Sequence, residues 1–167
     1  MNAEILTSHP LSGEFDELYF DSFGDTTCVK FEDDNYLEYC GIFGGGFGGG
    51  SNVSFHDNIA FVVAHGQGYV FDINKRAIIH KTDNDHLKGA IYTDFNNYFL
   101  AYNLTNLFVF DSTLVWDSQR VSADGIKIDI IEKGIVTGKV FNFSEWELFH
   151  LNLSTFEFKC DWECNLG

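Results

Sequence analysis

The sequence predicts an all-β protein with about four repeats of a roughly 40-residue antiparallel sheet. Four phenylalanines recur at steps of 40, 39 and 39 residues: Phe31, Phe71, Phe110 and Phe149. Each stands near the end of a strand-like run and is followed by a polar residue, a turn and a second strand-like run. The single proline and the frequent Val, Ile, Phe, Tyr and Thr also favour strands. These patterns predict a repeated β-sheet architecture, but they do not predict an enzymatic reaction.

The first segment, residues 1–25, mixes acids with aromatic residues and predicts at least one strand. If the repeats close into a ring, this strand is expected to complete the sheet begun by the last repeat. The first hairpin follows and leads into residues 41–50, seven of which are glycine. That run indicates a flexible connection or a close-packing turn, with Phe43 and Phe47 anchoring it to the core. It lacks the Lys-Ser/Thr ending of a phosphate-binding loop.

From Ser51 onwards, strand patterns alternate with tight-turn residues such as Asp57-Asn58, Asn96-Asn97 and Lys133-Gly134. The pattern predicts four strands in each of three successive units. The expected strands are 52–56, 59–65, 68–73 and 76–81, then 89–93, 98–103, 107–111 and 114–118, then 126–131, 135–141, 146–151 and 155–160.

This plan of one sheet per repeat resembles the blades of WD-type and related β-propellers over residues 26–160. The Trp-Asp pair that ends a WD repeat occurs as Trp116-Asp117, and the opening Gly-His pair is absent. The resemblance is therefore to the blade pattern and not to the WD family. It implies a small β-propeller-like ring, with an open stack of sheets or a sandwich-like pair of sheets as alternatives.

Length and composition fit a single β-repeat domain spanning residues 1–167, with 45% hydrophobic residues to form a core. No run of eighteen apolar residues is available to cross a membrane. The N-terminal residues carry acids where a secretory signal has a basic start, so the expected compartment is the cytosol.

The net charge is −15, and residues 1–40 contain ten acids but only one base, Lys30. Such a field repels nucleic acid and anionic lipid, and it attracts basic proteins. The charge therefore predicts a basic protein partner, and neither a nucleic acid nor a membrane. The alternative is that the acidity only keeps a β-rich chain soluble and its sheet edges apart.

No motif predicts a catalytic residue, a metal site or a cofactor. The four cysteines lack the spacing of a structural zinc site and are expected to be reduced and packed as small apolar groups: Cys28, Cys40, Cys160 and Cys164. No two histidines have the i, i+4 spacing of a metal-binding helix. A small hydrolase that uses carboxylates and histidines from several loops is the enzymatic alternative.

Small size, a β-repeat body, strong acidity and no catalytic motif together resemble the immunity proteins of bacterial toxin systems. The resemblance implies a non-enzymatic protein, a monomer or a heterodimer with its toxin, that occludes the active site of a basic toxin such as a nuclease. Its implied contact residues are acids that replace nucleic-acid phosphates, with two tyrosines as apolar anchors: Glu14, Asp16, Glu17, Tyr19, Asp21, Asp25, Glu32, Asp33, Asp34 and Tyr36. The alternative from another class is a propeller-like scaffold that binds several proteins.

Overall fold

The computed structural model describes residues 1–11, 13–21, 24–46 and 48–161. The chain divides into two compact units, Met1–Ala90 and Ile91–Gly167. Among the described residues, no helix has the length and apolar character needed to cross a membrane. The strands of these residues are β1 (Asn2–Ile5), β2 (Asp16–Phe20), β3 (Thr26–Glu32), β4 (Glu38–Gly44), β5 (Asn52–His56), β6 (Ile59–Ala64), β7 (Gln67–Asp72), β8 (Ala77–Lys81), β9 (Gly89–Tyr92), β10 (Phe99–Tyr102), β11 (Leu107–Phe110), β12 (Leu114–Asp117), β13 (Ile126–Glu132), β14 (Ile135–Phe141), β15 (Trp146–Asn152) and β16 (Glu157–Cys160).

The strands form four sheets of four strands each, which confirms the all-β class and the repeated sheet. In the second (β5–β8), third (β9–β12) and fourth (β13–β16) sheets, the spatial order of the strands follows the chain. Their bounds agree with the predicted strands to within two residues at each end. Regular alternation and tight-turn residues were therefore sufficient to locate these elements.

The first sheet (β1–β4) departs from the sequential plan because its order is β1-β3-β4-β2. β2 runs parallel to β4, with Asp16 opposite Tyr39 and Phe20 opposite Phe43. The expectation that an N-terminal strand completes the last repeat's sheet is wrong, since both β1 and β2 pair within the first sheet. This pairing brings Ala3, Leu18 and Phe20 to the core of the first unit, which explains why the strands bind there.

The four recurring phenylalanines are all buried, and each lies in the third strand of its sheet in chain order. In the second, third and fourth sheets that strand is also third in space, next to an edge strand. In the first sheet the strand of Phe31, β3, lies between β1 and β4. The phenylalanine therefore keeps its place in chain order, and in all four sheets its strand is an interior strand next to an edge strand.

The first and second sheets share one core that is rich in aromatic rings. The ring of Phe71 lies with its centroid 5.0 Å from that of Phe31 and 5.4 Å from that of Phe43. The Tyr39 hydroxyl donates to the backbone oxygen of Ile73 at 2.6 Å, which satisfies a buried polar group between the two sheets. Apolar contact and a hydrogen bond thus fix the first sheet on the second.

The second unit has its own core between the third and fourth sheets. Its buried members are aliphatic except for one ring: Leu100, Leu107, Val109, Val121, Ile126, Val136, Val140, Phe149, Leu151 and Leu153. Each unit therefore buries the apolar faces of two sheets, as a two-layer domain requires.

The glycine run is a close-packing turn, which decides between the two predicted alternatives. A Cβ atom on Gly49 would lie 2.1 Å from the Cα of Gly66, and one on Gly50 would lie 2.1 Å from the backbone oxygen of Lys88. Such distances exclude any side chain at these positions. Phe43 is buried in the core as expected, and Phe47 lies outside the described residues.

Candidate functional site: an acidic sheet face and an anchored loop

The first sheet has an outer face, opposite its core side, that is dominated by glutamates. Side chains alternate between the two faces of a strand, so Lys30 shares the outer face with its cross-strand neighbours Glu4 and Cys40, and Glu32 with Glu38. On β2, Glu17 lies opposite Cys40 and Tyr19 lies opposite Ile42 on the same face. We call this surface the acidic face and define its charged members as Glu4, Glu17, Lys30, Glu32 and Glu38.

Lys30 is the only base among these charged members, and two of the glutamates share it. Its Nζ lies 2.9 Å from Glu4 and 3.2 Å from Glu38, and these two bonds raise the pKa of the lysine. Tyr19 is exposed beside them and donates its hydroxyl to Glu17 at 2.7 Å, which raises the pKa of the phenol. The acidic face therefore keeps an excess of negative charge around an exposed aromatic ring.

The loop between β3 and β4, residues 33–37, holds a tyrosine in an unusual backbone conformation. Tyr36 has φ of 62°, in the left-handed region where a bulky residue is strained, and its side chain is 81% exposed. Leu37 beside it is 56% exposed. Strain of this kind persists only where the surrounding structure enforces it. We call residues 33–37 the Tyr36 loop.

Asp33 holds the Tyr36 loop from within. Its Oδ1 accepts hydrogen bonds from the backbone N–H groups of Asn35 at 2.9 Å and Leu37 at 3.0 Å. Backbone bonds from Tyr36 N to Asp33 O and from Asp33 N to Leu37 O, both 3.1 Å long, close the turn. This side-chain bonding pattern is a local alternative to strand pairing, and it fixes the backbone from which the exposed ring projects.

The loop is also tied to the second sheet at the turn between β7 and β8. Asp34 and Asn74 exchange two hydrogen bonds of 3.3 and 3.2 Å. Arg76 lies 3.6 Å from Asp33 and 2.9 Å from Asp16, and its guanidinium stacks 4.4 Å from the ring centre of Tyr39. The base of the loop is thus anchored, while Tyr36 and Leu37 project from it.

The structure places the ten predicted contact residues in different settings. Glu17, Tyr19 and Glu32 lie on the acidic face, with Asp34 and Tyr36 in the adjacent loop. Asp16 and Asp33 bind Arg76, and Asp21 binds Lys81. Glu14 is exposed and accepts a bond from the N–H of Leu11, and Asp25 is exposed.

Sequence reasoning missed Glu4, Leu37 and Glu38 as surface members and Arg76 as the anchor. Period-two alternation across the hairpin would have found Glu38, since it lies directly opposite Glu32. Arg76 had no such signal because it is far from its partners along the chain.

The Asp33 carboxylate should make the Tyr36 loop sensitive to acid. The N–H of Leu37, the N–H of Asn35 and the Arg76 guanidinium hold the pKa of Asp33 below its usual value, against the opposing effect of burial. A carboxyl with a lowered pKa stabilises the fold above its unfolded-state pKa of about 3.9, and this contribution is lost as the pH falls through the folded-state value. We expect Asp33→Asn to lower the thermal midpoint at neutral pH, and the difference from the wild type to disappear in acid. The control is Asp83→Asn, at an exposed position after β8, which should leave the thermal midpoint unchanged. A difference in thermal midpoint between Asp33→Asn and the wild type that does not vary with pH would contradict this role of the Asp33 carboxylate.

Two thiols lie within the acidic face beneath the connection between β1 and β2. Cys28 and Cys40 are buried, are in hydrogen-bonding contact, and are covered by Leu6 and Phe15. Burial raises the pKa of Cys40 to about 12 and raises that of Cys28 as well. Cys28 and Cys40 are thiols packed among apolar side chains, as the sequence predicts, and Cys164 lies outside the described residues.

These thiols should be inert while the chain is folded, because the thiolate is the reactive species. In a C160A/C164A variant, we expect Ellman's reagent to modify neither Cys28 nor Cys40 at mildly alkaline pH, and to titrate both after denaturation. Rapid modification of both thiols without denaturant would show that the pair is accessible.

The first unit also contains two cavities that bear on the hydrolase alternative. One of about 390 Å³ is lined by Cys28, Ser51 and His65 among others, and one of about 180 Å³ by Asp21, Lys81 and Asp85 among others. In the larger one, the Ser51 hydroxyl bonds to Thr27 at 3.1 Å and accepts the backbone N–H of His65 at 3.0 Å. Among the described residues, no three His, Cys, Asp or Glu side chains are grouped to hold a metal ion.

Comparisons with known proteins identify a fold and no family. No family model matches the chain, and no curated protein matches it. Two similar solved structures are those of computationally designed proteins, Ika4 and Ika8, each 14% identical to this chain. The Ika4 match has a TM-score of 0.52 and covers 71% of this chain and 73% of Ika4. The Ika8 match has a TM-score of 0.51 and covers 82% of this chain and 46% of Ika8. The likeness is one of fold alone.

Proposed function

We propose that this chain is an immunity protein that binds a basic bacterial toxin and neutralises it by occluding the toxin's active site. The contact surface consists of the Tyr36 loop and the acidic face beside it. The anchored Tyr36 is the observation that carries the proposal, because a strained and exposed aromatic held by buried polar contacts points to a binding role.

Preorganisation supports a tight contact. Binding a flexible loop costs free energy for each side chain that becomes ordered, and the Asp33 and Asn74 bonds already restrict this loop in the free protein. An aromatic anchor loses little side-chain entropy on binding and contributes a large contact area. The Tyr36 loop therefore has the features of an interface hot spot.

Charge supports a basic partner. Four glutamates and one lysine give the acidic face a net negative charge, and Asp34 extends that charge into the loop. A surface of this kind speeds the encounter with a positively charged protein and favours it over acidic competitors. The substrate site of a nuclease is itself basic, since it binds phosphates, so the same charge that guides association would direct the chain to that site.

A direct test begins with tagged chain purified from its native cells at low salt. The expected result is one stoichiometric basic protein that leaves the complex at high salt. Expressed alone, that protein should arrest growth, and co-expression of the chain should restore it. A partner that is acidic, or that has no effect on growth when expressed alone, would contradict the proposal.

A second candidate function, a scaffold for several proteins, is favoured by one observation in the second unit. Phe143 has φ of 82° and is 68% exposed, and the Asn142 side chain accepts bonds from the N–H groups of Ser144 and Glu145. A second aromatic presented in this way provides a separate contact point. Recovery of several unrelated partners, lost separately in Tyr36→Ala and Phe143→Ala, would support the scaffold over the immunity protein.

A further inference from the structure

The outer face of the fourth sheet carries two positive charges at directly opposite positions, while Glu132 and Glu157 of the same face lie at the end of the sheet near Ile135. Lys127 on β13 lies directly opposite Lys139 on β14, and both are exposed. Like charges at directly opposite positions of a sheet repel each other. Within the described residues, no ion pair joins either lysine to a carboxylate. In a protein with 25 acids and 10 bases, such a pair is unexpected unless something outside it supplies the negative charge.

Exposed apolar side chains surround the two lysines. Leu148 lies opposite Lys139, and Trp146 lies 4.1 Å from the Nζ of Lys127, measured to its ring centre. Ile130 and Ile135 are exposed along the same face. Large exposed apolar residues beside charges that have no carboxylate partner are typical of a contact surface. We call this surface the lysine face and define it as Lys127, Ile130, Lys139, Trp146 and Leu148.

The first sheet carries the matching arrangement with the opposite sign. Glu32 on β3 lies directly opposite Glu38 on β4. Glu38 shares Lys30 with Glu4, and Glu32 has the N-terminal ammonium at 3.9 Å, so the pair is only partly compensated. Both pairs occupy directly opposite positions on adjacent antiparallel strands, so each places two like charges side by side on one face of its sheet.

We propose that the lysine face binds the acidic face of a second copy of this chain. Lys127 and Lys139 meet Glu32 and Glu38, which relieves the like-charge repulsion in both sheets. Leu148 and Trp146 provide the apolar contact. The net charge of −15 on each copy opposes association at low ionic strength. At physiological salt this long-range repulsion is screened beyond about 8 Å, while charges in direct contact are screened less.

The contact joins two different surfaces, so it is heterologous and links copies into a closed ring or an open chain. It uses part of the surface proposed for the toxin, so a toxin would compete with the second copy. The association itself can be measured without any toxin. It therefore holds or fails independently of the proposed function.

Sedimentation equilibrium at physiological salt on three proteins tests the proposal. The wild type is expected to show a weight-average mass that rises with concentration. K127Q/K139Q and E32Q/E38Q should each remain monomeric, because each lacks one half of the contact. An equimolar mixture of the two variants retains one intact half from each, so it should form a 1:1 dimer and nothing larger.

Two further observations make the result decisive. The control K133Q removes an exposed lysine from the turn after β13 and should associate like the wild type. Circular dichroism should show that all variants are folded. A monomeric wild type at the highest attainable concentration would overturn the proposal, and so would association that persists in both double variants or a mixture that stays monomeric.

Discussion

Replacing Phe71 by alanine is expected to destabilise the first unit by about 3–5 kcal/mol, the usual cost of deleting a fully buried ring. Phe71 has no exposed surface, and its ring lies within 5.4 Å of those of Phe20, Phe31 and Phe43, measured between centroids. The residues around it come from two sheets that pack against each other, so they can close the resulting cavity only in part. The substitution therefore removes apolar burial and leaves a void.

Chemical denaturation followed by far-ultraviolet circular dichroism measures this effect. Tryptophan fluorescence is unsuitable, because all three tryptophans lie after residue 90 and report on the second unit. The control is Phe143→Ala, which removes an exposed ring and should change the stability by no more than about 0.5 kcal/mol. Equal effects of the two substitutions would show that the aromatic cluster of the first unit is not packed as described.

Replacing Tyr36 by alanine is expected to weaken binding of the partner by about 2 kcal/mol, a factor of roughly 30 in Kd. The Tyr36 loop is anchored at its base, so the loss comes from the ring itself and not from a change in the loop's conformation. Isothermal titration with the partner from the co-purification experiment measures it. Phe143→Ala, an exposed aromatic that also has a positive φ, is the matched control and should bind normally.

Tyr36→Gly separates binding from folding. Glycine adopts a positive φ without the steric cost that tyrosine incurs, and this gain offsets the larger entropy that glycine loses on folding. We expect this variant to be no less stable than the wild type and to bind as weakly as Tyr36→Ala. Normal binding by Tyr36→Gly would remove Tyr36 from the contact surface.

The sequence was informative where structure is local and regular. The strands of the second, third and fourth sheets follow one another as hairpins, so alternation and turn residues located them. β2 could not be placed in this way, because its parallel pairing with β4 joins strands that are not neighbours in the chain.

The sequence locates only part of the candidate surface, and the binding role of that surface stays a prediction. The acids of residues 14–34 lie close together in the sequence, but strand alternation separates them in space. Glu32 lies on the acidic face, whereas Asp33, its neighbour, is buried in the loop and binds Arg76. The anchoring of Tyr36 depends on Asn74 and Arg76 of the second sheet, and only tertiary structure brings those residues to the loop.

Hydrogen–deuterium exchange of the chain, free and bound to its partner, tests the central claim most directly because it requires no substitution. If the Tyr36 loop and the acidic face form the contact, backbone amides of residues 33–38 and 16–20 should exchange more slowly in the complex. Unchanged exchange in both segments, with protection confined to residues 91–161, would contradict the assignment of the binding surface to the first unit.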